Sequence, residues 1–153
     1  MTAVLFVCLG NICRSPTAEA VLRARAAAAG LNLTVDSCGT GGWHVGEPPY
    51  LPAIEAAARR GYDLRPLRAR QLTEQDFTSF DHVLVMDRSN LRDAMAVCPP
   101  EAAKPQLLLD YAPQAGRSDV PDPWYTRDFE GTLDLIEAAT DGLIAALRLQ
   151  PPQ

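Results

Sequence analysis

The chain has 153 residues, 47% of them hydrophobic, and a formal net charge of −5 at pH 7. This length and composition suit one globular domain with a substantial core and exclude a disordered chain. The acidic balance offers no basic face for nucleic acid and no polybasic membrane anchor, so an anion-binding pocket has to be built locally.

Ala3-Val4-Leu5-Phe6-Val7 is a continuous apolar run that predicts a strand buried on both faces of a parallel sheet. It is too short for a secretion signal or a membrane span. Pro16 to Ala29 predicts a helix, with Ser15 as N-cap, Pro16 in the first position and Gly30 at its end. Leu33 to Cys38 alternates like a second strand, and Gly39 to Pro52 is a Gly/Pro-rich loop. Ile54 to Arg60 predicts a short helix closed by Gly61. His82 to Met86 is a third apolar strand, Ser89 to Val97 a helix, and Gln106 to Leu109 a fourth strand. Asp110 to Asp128 is a long polar loop, a length that in compact domains signals function or disorder. Leu133 to Leu149 is a closing amphipathic helix; residues 1–150 are expected to form one domain and 151–153 a disordered tail. Strands alternating with helices over short connections imply a layered α/β domain around a parallel sheet. In such sheets ligands bind at the carboxyl ends of the strands, near a topological switch point.

The chemistry concentrates in Val7-Cys8-Leu9-Gly10-Asn11-Ile12-Cys13-Arg14-Ser15-Pro16, which follows the first strand and opens the first helix. A thiol is nucleophilic as its thiolate, which a helix N-terminus and a nearby cation both favour. Cys8 faces that helix start, with Arg14 close by, and Ser15 is placed to donate its hydroxyl to the sulfur. Backbone N–H groups of Leu9, Gly10, Asn11, Ile12, Cys13, Arg14 and Ser15, curled into a nest, would cradle phosphate oxygens. Gly10 can adopt the positive φ such curling needs, and Asn11 tolerates it better than most residues. The planar fork of Arg14 can grip two equatorial oxygens, which a lysine cannot. These residues read as a loop that holds a phosphate over a sulfur nucleophile, without metal or cofactor. Four cysteines, at positions 8, 13, 38 and 98, form no Cys-x-x-Cys pair, and with His44 and His82 as the histidines no structural zinc site is expected. Reduced thiols in a cytoplasmic protein are the default.

At these residues the chain resembles the low-molecular-weight protein tyrosine phosphatases. The string Val7 to Pro16 matches that family's signature without a gap. Asp36-Ser37 with Gly39-Thr40, Trp43 with Pro48-Pro49, Arg68-Ala69-Arg70-Gln71 and Met86-Asp87-Arg88-Ser89-Asn90 resemble further family motifs, as does Val120-Pro121-Asp122-Pro123-Trp124-Tyr125. Two positions depart from the pattern: Pro66-Leu67, where many relatives carry a histidine, and Cys38, where Ala or Ser is usual. The resemblance implies a single three-layer domain, a four-stranded parallel sheet flanked by helices with flavodoxin-like topology, in agreement with the strand count.

It also implies that Asp122 is the general acid. The residues support this independently: expelling an oxygen leaving group is slow without a proton, and Asp-Pro favours an extended backbone on a loop able to reach the sheet edge. Asp119 is the rival acid. The implied reaction is in-line attack by Cys8, a cysteinyl-phosphate, and hydrolysis by water that Asp122 activates. Asn11 braces the loop, Ser37 is a further brace by resemblance, and Asp87 is expected to order loops at the strand end. Trp43 and Trp124 are candidate walls for an aromatic substrate, with Tyr125, Leu9 and Ile12 near the floor. The expected partner is a phosphotyrosine-containing protein or a small aryl phosphate, not nucleic acid or membrane, acted on by a monomer or weak dimer. Cys13 is expected to trap an oxidised Cys8 as a disulfide, as the family does. Cys38 and Cys98 are assigned to the core, His44 and His82 to structural roles, and Arg23, Arg25, Arg59 and Arg60 to solvated helix faces. Three alternatives stay open. A protein-arginine phosphatase of the same family tends to have Thr where this chain has Ile12. An arsenate reductase would need further cysteines, and a phosphate-binding module would lack turnover.

Overall fold

The first apolar run forms β1 (Thr2–Cys8), six of whose seven residues are buried. A computed structural model describes residues 1–149; residue 150 of the expected domain and the expected tail at 151–153 lie outside the described residues. Side chains of β1 alternate between two cores, as the two-residue period of a strand requires. Val4, Phe6 and Cys8 face one core, while Leu5 and Val7 face the other. Fully burying a side chain of the size of Phe6 contributes about 1.5–3 kcal/mol.

Three further strands flank β1. They are β2 (Leu33–Gly39), β3 (His82–Val85) and β4 (Gln106–Leu107), in the order β2-β1-β3-β4, and every neighbouring pair is parallel. The helices α1 (Arg14–Ala28), α2 (Leu51–Ala58) and α6 (Phe129–Arg148) cover the Phe6 face through Val21, Leu22, Ala56, Leu133 and Ile136. The short α3 (Asp76–Ser79) and α4 (Arg88–Val97) cover the Leu5 face through Phe77 and Ala94. The chain leaves β1 towards β2, then crosses back to β3 on the other side of β1. This reversal opens a crevice at the carboxyl end of β1, where Cys8 is the last strand residue. None of the described helices is long and apolar enough to cross a membrane.

Several boundaries differ from the sequence reading. The fourth strand pairs only through Gln106 and Leu107, and Leu108–Tyr111 turns into a 3-10 helix that buries Leu108 and Leu109. The long polar segment is not irregular throughout. It carries a second 3-10 turn at Pro113–Ala115 and the helical turn α5 (Pro123–Thr126). α2 begins at Leu51, because Pro52 is tolerated in a first helical turn. α6 begins a turn earlier than expected, since Asp128 caps it by accepting from the Gly131 N–H at 2.8 Å. α1 starts at Arg14 with Cys13 in the N-cap position, so Ser15 lies inside the helix and is not its cap. The four arginines assigned to solvated faces are paired. Arg25 and Arg60 converge on Glu137, tying α1 and the end of α2 to α6, and Arg23 pairs with Glu19. Arg59 reaches Glu130 at the surface. Cys38 is buried, whereas Cys98 is half-buried.

Candidate active site

The segment after β1 is held from outside by its carbonyl groups. The carbonyls of Cys8, Leu9 and Ile12 accept from the amides of Thr40, Gly41 and Tyr50 at 2.8–2.9 Å, and that of Cys13 accepts from Thr17. With the carbonyls turned outward, the N–H groups point inward. Those of Leu9, Gly10, Ile12 and Cys13 have no protein acceptor among the described residues, and that of Asn11 donates to Cys8 Sγ at 3.3 Å. This is the nest of amides, backed by the N-terminus of a 15-residue helix. The residue with positive φ is Asn11, at 58°, and not Gly10. Gly10 is small for another reason: a Cβ there would lie 3.0 Å from Cδ2 of His44. Gly39 is constrained more tightly, since its Cβ would sit 2.7 Å from the Leu9 carbonyl oxygen. The end of β2 thus packs directly under the loop.

Cys8 Sγ lies 2.9 Å from Ser15 Oγ, which places a hydroxyl against the sulfur as the sequence implied. Arg14 is 2% exposed. Its Nη1 donates to Asp87 Oδ2 at 2.7 Å and to the Val120 carbonyl at 2.9 Å, while Nη2 stands 3.6 Å from Asp122 Oδ2. Burial works against the guanidinium charge, and Cys8, Asp87 and Asp122 outweigh it, so the group is held firmly charged. Its Nε is buried with no partner among the described residues. A buried unpaired donor costs roughly 1–3 kcal/mol, and more when charged, so this edge is arranged for an acceptor. One face of the fork is anchored, and the other, Nε with Nη2, has the geometry to grip two oxygens of an oxyanion.

Behind the loop, Asn11 Nδ2 donates to Ser15 Oγ at 2.8 Å and Ser37 Oγ at 3.0 Å, while its Oδ1 accepts from the Arg70 N–H at 3.0 Å. Ser37 in turn donates to Glu19 Oε1 at 2.6 Å. Burial pushes the Glu19 carboxyl up, an effect that Ser37 and Arg23 partly offset. The Arg70 guanidinium spans Asp36 and Asp76. Burial and the neighbouring charges of Cys8 and Asp122 push the Cys13 thiol up to about 12, so at neutral pH it is protonated.

Above the loop lies a cleft of about 220 Å³. Cys8, Leu9, Ile12, Cys13 and Arg14 form its floor, and Trp43, His44, Asp122, Trp124 and Tyr125 its sides. The Trp43 ring folds over Gly41, where a Cβ would collide with it at 1.8 Å. Asp122 begins α5, its Oδ1 accepting from the Trp124 N–H at 3.0 Å while Oδ2 faces Arg14. One carboxylate therefore caps a turn and looks into the cleft at once.

The model of the family described as low molecular weight phosphotyrosine protein phosphatase matches residues 3–152. The chain belongs to this family. It is similar to the low molecular weight protein-tyrosine-phosphatase YfkJ of Bacillus subtilis, 42% identical over 97% of both chains. It is also similar to the low molecular weight protein-tyrosine-phosphatase of Streptomyces coelicolor, 50% identical over 96% of this chain and 94% of that one. The crystal structure of YfkJ superposes with a TM-score of 0.92, covering 97% of this chain and 95% of that chain. An arginine phosphatase from Drosophila superposes with a TM-score of 0.89 at 30% identity, covering 99% of this chain and all of that one. The chain is a phosphatase, a hydrolase with the three-layer α/β fold of its relatives.

The structure brings the phosphatase's expected site residues together from five separate stretches of chain. Cys8, Leu9, Gly10, Ile12, Cys13, Arg14, Asp122, Trp43, Trp124 and Tyr125 share the cleft, while Asn11 and Ser15 do not line it; Asn11 bonds Ser15 and Ser37, and Asp87 bonds Arg14. Asp119, the rival acid, is instead clasped by Arg88 through its amide and guanidinium, which hold its carboxyl below the ordinary range against a burial that raises it. His44, assigned a structural role, lines the cleft and bonds Glu47 through Nδ1. Glu19, Arg70 and the Val120 carbonyl join the site beyond the residues to which the sequence points. Arg70 lies within the Arg68-Ala69-Arg70-Gln71 motif, which is the available signal; a backbone carbonyl carries none.

Proposed function

We propose that this phosphatase hydrolyses phosphotyrosine and other aryl phosphate monoesters through a cysteinyl-phosphate on Cys8. The observation that carries the reading is the buried, unpartnered Nε of Arg14, set beside Nη2 and above the inward amides of the loop. The Cys8 sulfur attacks phosphorus in line, and the S–P bond forms as the P–O bond to the leaving group breaks. Asp122 gives that oxygen its proton. Water then attacks the phosphoryl group, its proton passes to Asp122, the S–P bond breaks, and phosphate leaves with the sulfur and the acid restored. The amides and Arg14 hold the three equatorial oxygens throughout, where charge develops. Trp43, Trp124 and Tyr125 accept the aryl ring, which favours an aromatic ester over phosphoserine. A reducing compartment such as the cytoplasm keeps Cys8 available as a thiol.

Side-by-side turnover of phosphotyrosine, phosphoserine and phosphoarginine tests the substrate class. We expect kcat/KM to fall by at least about a hundredfold from phosphotyrosine to phosphoserine, since the apolar walls then contact nothing. Faster turnover of phosphoarginine would move the substrate class to that of the Drosophila relative. Equal rates for all three would refute the role of the walls.

Cys13 shares the loop with Cys8, and a sulfenic acid on Cys8 condensing with its thiol would give a disulfide and water. Because the Cys13 thiol is pushed up to about 12 by burial, its thiolate fraction, and hence the closure rate, rises with pH through the neutral range. After excess peroxide, thiol reductant should restore activity in the wild type and not in Cys13→Ser, where further peroxide carries the unprotected sulfenic acid to the irreversible sulfinic acid. Peptide mapping should show the Cys8–Cys13 bond forming faster at pH 8 than at pH 6. Full recovery in Cys13→Ser would remove this role.

A further inference from the structure

We propose that Tyr50 is a positioning residue for the acid, clamping the loop that carries Asp122 to the loop that carries Cys8. This inference rests on the assignment of Asp122 as acid. Tyr50 is not among the residues lining the cleft, yet it touches both halves of the machinery. Its amide donates to the Ile12 carbonyl at 2.8 Å, fixing it to the phosphate loop. Its ring packs on Trp124 with centroids 4.6 Å apart and planes tilted by 48°. Trp124 is the residue whose N–H holds Asp122 Oδ1 at 3.0 Å. The ring stack therefore lies one hydrogen bond from the acid.

Arg127 closes the clamp from the other side. Its Cζ lies 5.3 Å from the Tyr50 ring centroid and 5.4 Å from that of Phe129. Its Nη2 donates to the Tyr50 hydroxyl at 3.2 Å, and its Nη1 donates to the Trp124 carbonyl at 3.3 Å. Arg127 makes these contacts as the C-cap of α5, in a left-handed conformation (φ 61°) in which its N–H donates to the Pro123 carbonyl at 2.9 Å. α5 is a single turn of four residues, too short to hold its own position by internal hydrogen bonds. What fixes it over the sulfur is the Tyr50–Trp124–Arg127 assembly together with the buried Pro123.

A positioning role predicts a loss that depends on the leaving group. Tyr50→Ala should lower kcat/KM about tenfold for phenyl phosphate, whose leaving oxygen needs the proton, and less than about twofold for 4-nitrophenyl phosphate. Tyr50→Phe keeps the ring and should stay within about twofold of wild type on both. Arg127→Gly relieves the left-handed backbone while removing the cation, so its Tm should equal or exceed that of wild type while phenyl phosphate turnover falls. A purely structural role would move stability and activity in the same direction. In an Asp122→Asn background, Tyr50→Ala should have no further effect on phenyl phosphate. The proposal is overturned if Tyr50→Ala and Arg127→Gly both turn over the two esters like wild type. It is overturned equally if the loss is the same for both esters and persists in the Asp122→Asn background. If Asp122→Asn acts as an acid knock-out and Tyr50→Ala does not, the clamp alone fails; if Asp122→Asn leaves phenyl phosphate turnover intact, the acid assignment fails and the clamp with it.

Discussion

Cys8→Ser is expected to lower turnover of aryl phosphates by at least about 10⁴-fold while leaving the site able to bind phosphate. The substitution is nearly isosteric, so the contacts that shape the loop remain. Its outward carbonyls still meet Thr40, Gly41 and Tyr50, Asn11 still bridges Ser15 and Ser37, and Arg14 stays anchored on Asp87. What is lost is the nucleophile, because a serine hydroxyl at neutral pH carries no charge and has no base beside it. Because the inward amides and Arg14 stay in place, inorganic phosphate should still bind Cys8→Ser, which a fluorescence titration can follow through Trp43 and Trp124 at the cleft. Turnover within tenfold of wild type would refute the nucleophile. Loss of both turnover and phosphate binding would show that the sulfur's role is to support the loop.

Asp122→Asn should reduce kcat/KM for phenyl phosphate by roughly 10²–10⁴-fold, the range of a placed general acid. For 4-nitrophenyl phosphate, whose leaving group departs without help, the loss should be far smaller. Asparagine is the informative replacement because Asp122 does two things. It caps α5 through the Trp124 N–H, and it presents Oδ2 to the cleft beside Arg14. Asparagine is as good an N-cap as aspartate, so it retains the turn and removes the proton. Alanine would remove both and mix a chemical loss with about 0.5–2 kcal/mol of lost capping. Equal losses on the two esters would point away from proton donation. Asp119 is no substitute, since Arg88 occupies both of its oxygens.

How much of this was legible in the sequence depends on the range over which each feature acts. The string from Val7 to Pro16 contains its own context: a strand buried on both faces, a turn, and a helix start. Its role can be read without knowing where the rest of the chain goes. Asp122 was legible because proline follows it on a long segment. The partners of Arg14 were not, because Asp87 and Val120 lie 73 and 106 positions away and the second contributes only a carbonyl. The motif around Arg70 was visible, yet its purpose is a backbone N–H given to Asn11 across 59 positions. Local propensity also misassigned two details that tertiary contacts decide. Ser15 looks like a cap but lies inside the helix, with its hydroxyl on the sulfur as expected. Gly10 looks like the left-handed residue, but Asn11 takes that conformation because its side chain is pinned on three sides. The strand at Gln106–Leu109 halves because Leu108 and Leu109 gain more by turning into the core than by extending an edge.

The outward anchoring of the loop's carbonyls separates two entropies that many anion sites leave coupled. The disorder that a free loop would surrender on capturing its ligand is surrendered here when the chain folds, as Thr40, Gly41, Tyr50 and Thr17 lock into place. In the proposed reaction, capture of a phosphoryl group would then have to overcome chiefly the hydration of the anion, and a rigid socket would lose no grip as the ligand's geometry passes from tetrahedral to trigonal. Selectivity among esters would consequently fall to the aromatic rim, with the same chemistry below for whatever the rim admits.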